Sequence, residues 1–180
     1  MVYIFLADGF EEIEAITVID VLRRAGIELK TVSIQNEMVT GAHHIPVKAD
    51  CFIDSIKAEN MDMLILPGGM PGTTNLEQNE KVQELLKYAV DHNKWIAAIC
   101  AAPMILGNKG YLKNVQSICY PGFEKYLKGA VIQDNRVNVS GKFITSKGPG
   151  TAAEFAFAIV SILKGEELAN KLQQTMQYCN

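Results

Sequence analysis

The sequence predicts an α/β protein built on a largely parallel β-sheet, and three observations carry that prediction. Short β-branched runs alternate with helical patterns, which is the signature of β-α-β units. Two of those runs, at 63 to 66 and 95 to 99, are wholly apolar and end at turns of small residues, as buried strands of such a sheet do. The 180 residues, 48% hydrophobic, suit one compact domain with a full core and leave little room for a second.

In chain order, residues 2 to 7 read as the first strand and residues 11 to 25 as the first helix, closed by Gly26 where a helix C-cap belongs. Strands follow at 27 to 34, 62 to 66, 95 to 99 and 143 to 146. Helices are expected at 79 to 92, 101 to 108 and 150 to 164, the last ending at Gly165 with a short C-terminal helix beyond it. Residues 36 to 56 and 115 to 140 show short polar-apolar alternation, with a turn at 134 to 136, and read as antiparallel additions or loops. No repeat, low-complexity tract or linker interrupts the chain, so residues 1 to 180 are expected to form a single domain.

A net charge of −3, with lysines and arginines scattered among acids, gives no electrostatic footprint for nucleic acid, which is not expected as the main partner. The N-terminal MVYIFLAD lacks a basic segment and reads as a strand, not a signal peptide. No apolar run approaches membrane-spanning length. Cys51, Cys100, Cys119 and Cys179 are far apart, with no C-x-x-C pair, in a chain large enough to stand without disulfides. Free thiols in a reducing cytoplasm are the expectation.

Three segments point to chemistry. In WIAAICAAP, residues 95 to 103, an apolar strand stops on Cys100 and two small residues open a helix. Such a strand-to-helix elbow presents a side chain at the sheet end, where helix amides and the dipole favour a thiolate. A free Cys is also one of the most commonly buried residues, acting as a small hydrophobe, so both readings stand. In the first helix, Glu14 shares one row with Val18, Val21 and Ala25, whereas Glu12 and Arg23 fall on the opposite side. A carboxylate extending an apolar stripe needs a hydrogen-bond partner or a proton, unless it sits in a frayed, wet first turn. In MLILPGGMPG, residues 63 to 72, a buried strand empties into Gly68 and Gly69, whose amides can approach an anion closely; an ordinary tight turn would look the same. All three segments lie at carboxyl ends of strands, where open α/β sheets build their ligand crevice.

Other motifs fail. Gly148-Pro149-Gly150 with Ala153 fits a dinucleotide-binding pattern but opens the last main helix, with no later strand to supply the ribose-binding acid. Gly141-Lys142 precedes Phe143, so no phosphate loop is present. His43 and His44 would point apart on a strand and make a poor metal pair, and His92, in a polar turn before the 95 to 99 strand, is expected at the opposite sheet edge from Cys100. Neither a cofactor nor a metal is expected.

Taken together, Glu11-Glu12-Ile13-Glu14, the LPGG of residues 66 to 69, AAICAAP of 97 to 103 and TSKGPGTAAEFA of 145 to 156 resemble the ThiJ/PfpI superfamily, most nearly its Parkinson-disease protein deglycase branch and its bacterial relatives. The resemblance runs nearly end to end with the motifs in family order. It implies a flavodoxin-like three-layer sandwich and a homodimer. It also implies that Cys100 is the reactive cysteine, that Glu14 is its protonated partner, and that the amides of Gly69 and Ala101, beside Gly68, line the anion pocket. Tyr120 replaces the histidine of a His-Pro step common in members with a Cys-His pair, and serves as an accessory residue. Ala101 stands where the protease-like branch places histidine, no His-x-Glu follows, and Lys147 stands where close relatives often have arginine, losing the bidentate fork. Peptidase activity is therefore not expected.

Two functional classes follow. Cys100 attacks a small reactive carbonyl or a glycated substrate in glyoxalase- or deglycase-type stress protection, with Glu14 shuttling a proton. Alternatively, Cys100 is a non-enzymatic redox sensor, or belongs to a chaperone, and is oxidised to the sulfinate. Helix amides and a neutral Glu14 predict a Cys100 pKa below the usual value near 8.5. Tyr120, a phenol protonated at neutral pH, is not expected to act as a base.

Overall fold

A computed structural model describes residues 1–178. The seven-stranded sheet comprises β1 (Val2–Leu6), β2 (Leu29–Ser33), β5 (Cys51–Phe52), β6 (Met63–Leu66), β7 (Trp95–Ile99), β10 (Val137–Ser140) and β11 (Phe143–Ser146). Its order is β10-β11-β7-β6-β1-β2-β5, parallel throughout except where β10 pairs antiparallel with β11. β1 and β6 are buried along their whole lengths, which is why they read as continuous apolar runs.

Helices cover both faces. α1 (Glu12–Arg24), α5 (Ala152–Lys164) and α6 (Glu166–Thr175) pack on one side around Ile4, Leu6, Val18, Leu22 and Phe155. α2 (Gly72–Gln78), α3 (Glu80–Asp91) and α4 (Pro103–Asn108) pack on the other around Phe5, Leu64, Leu76, Leu86 and Ile105. This is the expected α/β three-layer arrangement. Glu14, Val18 and Val21 of α1 and its C-cap Ala25 are all buried, as the helical row predicts. Glu12, placed by the same count on the outer side, is buried too: the loop at 41 to 45 folds over it, and helical spacing within one element carries no information about a covering loop.

The irregular segments are mixed. β3 (Met38–Thr40) and β4 (Pro46–Lys48) form the expected antiparallel pair, but β5 joins the main sheet parallel to β2. β8 (Gln116–Ser117) and β9 (Val131–Ile132) form a short parallel pair, and the turn at 134 to 136 leads into antiparallel β10. α2 was not signalled by the sequence. It begins at Gly72 among glycine, threonines and asparagine, weak helix formers held by the Gly9-Phe10 turn packed beside them and by the Gly69 carbonyl, which accepts the Thr73 N–H.

Phe155 is fully buried where α5 meets the sheet. Truncation to Ala should cost about 3–5 kcal/mol by chemical denaturation. A loss below about 1 kcal/mol would mean that α5 is not part of the cooperative core.

Candidate active site

Cys100 follows β7 directly and adopts φ 65°, a left-handed conformation that side chains other than glycine rarely take. Several contacts hold it there. Its N–H donates to Ser146 O at the end of β11 (3.0 Å), its carbonyl accepts the Tyr120 N–H (2.8 Å), and the Ala102 N–H turns back to Ile99 O (3.0 Å). The elbow therefore depends on two neighbouring chain segments, not on local propensity alone. It leaves the N–H groups of Ala101 and Gly69 directed at the sulfur.

Glu14 is fully buried. Its Oε2 accepts the Gly68 N–H at 2.8 Å, whereas its Oε1 is buried without a hydrogen-bond partner among the described residues. The Gly68 amide thus serves the carboxyl group, a role different from the expected anion pocket, and the Gly69 and Ala101 amides face the sulfur. Glycine at 68 is a matter of space. A Cβ there would stand 2.6 Å from both Cys100 Cβ and Glu14 Oε2, and 3.1 Å from Sγ.

Burial pushes the Glu14 carboxyl up to about 7, against the lowering effect of its hydrogen bonds with Cys100 and Gly68. Burial also pushes the Cys100 thiol up, and an ionised Glu14 beside it pushes further; the Ala101 and Gly69 amides pull the other way. The lowering expected from helix amides is overturned: removing the sulfur from water, a cost the sequence did not display, outweighs the amides and leaves the thiol above its ordinary value. Two anions in contact at this depth are unfavourable, so Cys100 and Glu14 do not ionise together. With Glu14 protonated, the charge repulsion vanishes, and the two amides favour ionisation of the thiol against the cost of its burial.

The surroundings are fixed by charge-assisted contacts. Lys147 donates to Asp134 Oδ1 (2.6 Å) and Asp134 O (2.9 Å), and Arg136 clamps Glu154 through Nε (2.8 and 2.9 Å). Together they tie the turn at 134 to 136 to the start of α5. Tyr120 is half-exposed and edge-on to Phe123. His92 caps α3 and stacks on Tyr88 before β7 begins, at the opposite end of the sheet from Cys100. Burial pushes the Cys119 thiol up to about 12, Cys51 is half-buried on the edge strand, and Cys179 lies outside the described residues.

The sequence missed the Glu12 cluster. Glu12 Oε1 accepts the His43 N–H (2.7 Å), and Oε2 meets His43 Nδ1 (2.8 Å). Although burial pushes Glu12 up, these bonds hold it below its ordinary value, and the same contact raises His43. Glu11, Glu12 and His43 bring three possible cation ligands within 4.8 Å of one another, a grouping that joins His43 to acids instead of to His44. The glycine at 41 was the available signal, since a Cβ there would overlap the Glu12 carboxyl.

A model of the DJ-1/PfpI family matches residues 1–162. The chain belongs to that family. It is 35% identical over 171 residues to the DJ-1 homolog B of Arabidopsis thaliana, covering 94% of this chain but only 39% of that longer protein. A glutathione-independent glyoxalase of Caenorhabditis elegans is 37% identical over 163 residues (90% of this chain, 87% of the relative). A deglycase of Pyrococcus abyssi is 31% identical over 165 residues (91% and 99%). The solved structure of oxidised Toxoplasma gondii DJ-1 superposes with a TM-score of 0.95 at 36% identity, covering 99% of this chain and 98% of that one. No described helix is long and apolar enough to cross a membrane.

The raised Glu14 pKa has a sign that stability measurements can read. Because the folded-state value exceeds the ordinary 4.5, its contribution is fully present below about pH 4.5 and is lost as pH rises through about 7. In a Cys100→Ser background, Glu14→Gln should remove that loss. It should gain about 3 kcal/mol relative to Glu14 between pH 4.5 and 8, a shift of this size corresponding to 1.36 kcal/mol per pKa unit. A stability difference that is flat with pH would mean that Glu14 titrates as a solvated acid.

Proposed function

We propose that this chain is a cysteine-dependent enzyme of carbonyl stress protection, with glyoxalase- or deglycase-type chemistry at Cys100 and Glu14 as its proton partner. The observation that carries the reading is a single one. A thiol on a strained elbow faces two amides and adjoins a buried carboxyl whose pKa is raised to about 7. The glyoxalase and deglycase names of two relatives support the same class.

The chemistry balances within the site. The thiolate adds to the aldehyde carbon of a small α-oxoaldehyde; the C–S bond forms, and the carbonyl electron pair moves to oxygen, which takes the proton held by Glu14. The resulting carboxylate removes the C1 proton and a proton returns at C2, so the aldehyde carbon is oxidised as the neighbouring ketone is reduced. Water then cleaves the thioester to the 2-hydroxy acid and free thiol. No external electron carrier, cofactor or metal enters. In the deglycase form the carbonyl arrives already joined to an amine, which is released. Tyr120 takes no proton in this scheme. We read residues 1 to 180 as one ThiJ/PfpI-type domain of the cytoplasm, consistent with free Cys51, Cys100 and Cys119. We read it as a homodimer.

Methylglyoxal consumption, measured against a buffer-only blank, should fall at least about 100-fold in both Cys100→Ser and Glu14→Gln. Equal turnover by wild type and Cys100→Ser would overturn the reading.

The two amides at the sulfur favour a second role, redox sensing. Peroxide transfers one oxygen to the thiolate with release of hydroxide, and a second equivalent gives the sulfinate, whose oxygens those amides and the Glu14 proton can bind. Among the described residues, buried Cys119 has no such partners. Peptide mass spectrometry across a peroxide titration should find Cys100 sulfinate before any modification of Cys51, Cys119 or Cys179. Any other cysteine reacting first would exclude this role.

A further inference from the structure

Cys100 at φ 65° is a strained residue, and such strain persists only where the surroundings over-determine it. Its N–H is held by Ser146 O at 3.0 Å, so whatever fixes that carbonyl fixes the elbow. Ser146 is the last residue of β11 and pairs with Ile99 of β7; beyond it the chain leaves the sheet for a short 3-10 turn at Pro149–Thr151. The ladder therefore ends at the very residue that supports the elbow.

Side chains take over there. Ser146 and Thr151 are both buried, and their hydroxyl oxygens lie 2.6 Å apart. Ser146 Oγ is 2.8 Å from Arg136 O, and the Gly148 N–H donates to Thr151 Oγ1 at 3.1 Å. One arrangement of hydrogens satisfies all three contacts. Arg136 O can only accept, so Ser146 donates to it, and the Thr151 hydroxyl then donates to Ser146 Oγ while accepting from Gly148. Gly148 O is not left open, because the Thr151 N–H reaches it at 2.9 Å. The result is an unbranched relay from Gly148 through two buried hydroxyls to Arg136, the residue before β10. The Lys147–Asp134 and Arg136–Glu154 pairs brace the same two segments at the surface, where water weakens such contacts. The hydroxyl pair braces them inside, where a hydrogen bond lost is not replaced by water.

We propose that Ser146 and Thr151 are positioning residues for Cys100. Their relay holds the end of β11 so that Ser146 O keeps Cys100 in its left-handed elbow, and the elbow keeps the Ala101 N–H aimed at the sulfur. Both residues act through the backbone, and neither hydroxyl takes part in bond making or proton transfer. The role serves the thiol chemistry read above, on which its effect on turnover rests, but it requires only a reactive thiol and no particular substrate.

Ser146→Ala and Thr151→Val each break the relay at a different hydroxyl, so one that fails to fold leaves the other to decide, and Thr151→Ser keeps the hydroxyl. Cys100 alkylation by iodoacetamide is followed by peptide mass spectrometry across a pH series, with buried Cys119 as the internal reference. Methylglyoxal turnover and chemical denaturation are measured in parallel. Glu14, the ionisable group beside the sulfur, is the same in every variant. Both relay-breaking variants should slow Cys100 alkylation at neutral pH about tenfold, the effect of one pKa unit, by displacing its pH profile upward. Thr151→Ser should stay within about twofold of wild type, and the double variant should match the singles, since one relay is broken only once. The kcat for methylglyoxal should fall with KM nearly unchanged. A pair that merely packs the loop gives the opposite sign: loss of stability opens the site, and Cys100 and Cys119 react faster together. That result, a Cys100 profile unchanged while stability falls, or a Thr151→Ser variant as slow as Thr151→Val overturns the positioning role. A displaced profile in a protein whose wild type consumes no methylglyoxal overturns the enzymatic reading and upholds the positioning.

Discussion

Everything at the reactive end of this fold depends on burying one carboxyl group against one thiol. Water stabilises a carboxylate far better than an apolar interior does, so Glu14 is tolerable in the core only with a proton or donors. The fold supplies the Gly68 amide and the Cys100 thiol, and burial outweighs both. That balance, led by burial, keeps the group near 7, where a proton can be held and released. The register of α1, the close approach at Gly68 and the elbow at Cys100 all serve this single juxtaposition.

The elements that meet there come from three separate crossovers. α1 follows β1, the glycine turn follows β6, and Cys100 follows β7, three strands adjacent in the sheet order. Parallel pairing puts all their carboxyl ends on one rim. The β11 end adds the backbone acceptor for Cys100 and then Gly148, so the antiparallel return of β10 lies beyond the site and only braces it through the 134 to 136 turn.

The frame was legible because its signals are local. Period and apolarity marked the sheet strands, and helical spacing alone put Glu14 on the buried row. The ThiJ/PfpI motifs then joined segments distant in sequence. What escaped was whatever a second segment decides. Glu12 is buried by a loop thirty residues on, α2 forms from weak helix formers held by packing, and β5 is too short to show its direction. The thiol illustrates the same limit. The sequence displayed the amides that favour its charge but not the desolvation that opposes it.

The left-handed backbone at Cys100 has a consequence for how such a chain can change over time. A non-glycine residue at φ 65° carries strain that glycine or asparagine would relieve, so residue 100 is a position where a more stable protein is one substitution away and lacks its nucleophile. Stability and reactivity pull in opposite directions there. A lineage released from the need for the thiol would drift toward the relaxed residue while keeping its sheet, so loss of this cysteine in an otherwise intact fold would mark relaxed selection, not decay of the architecture.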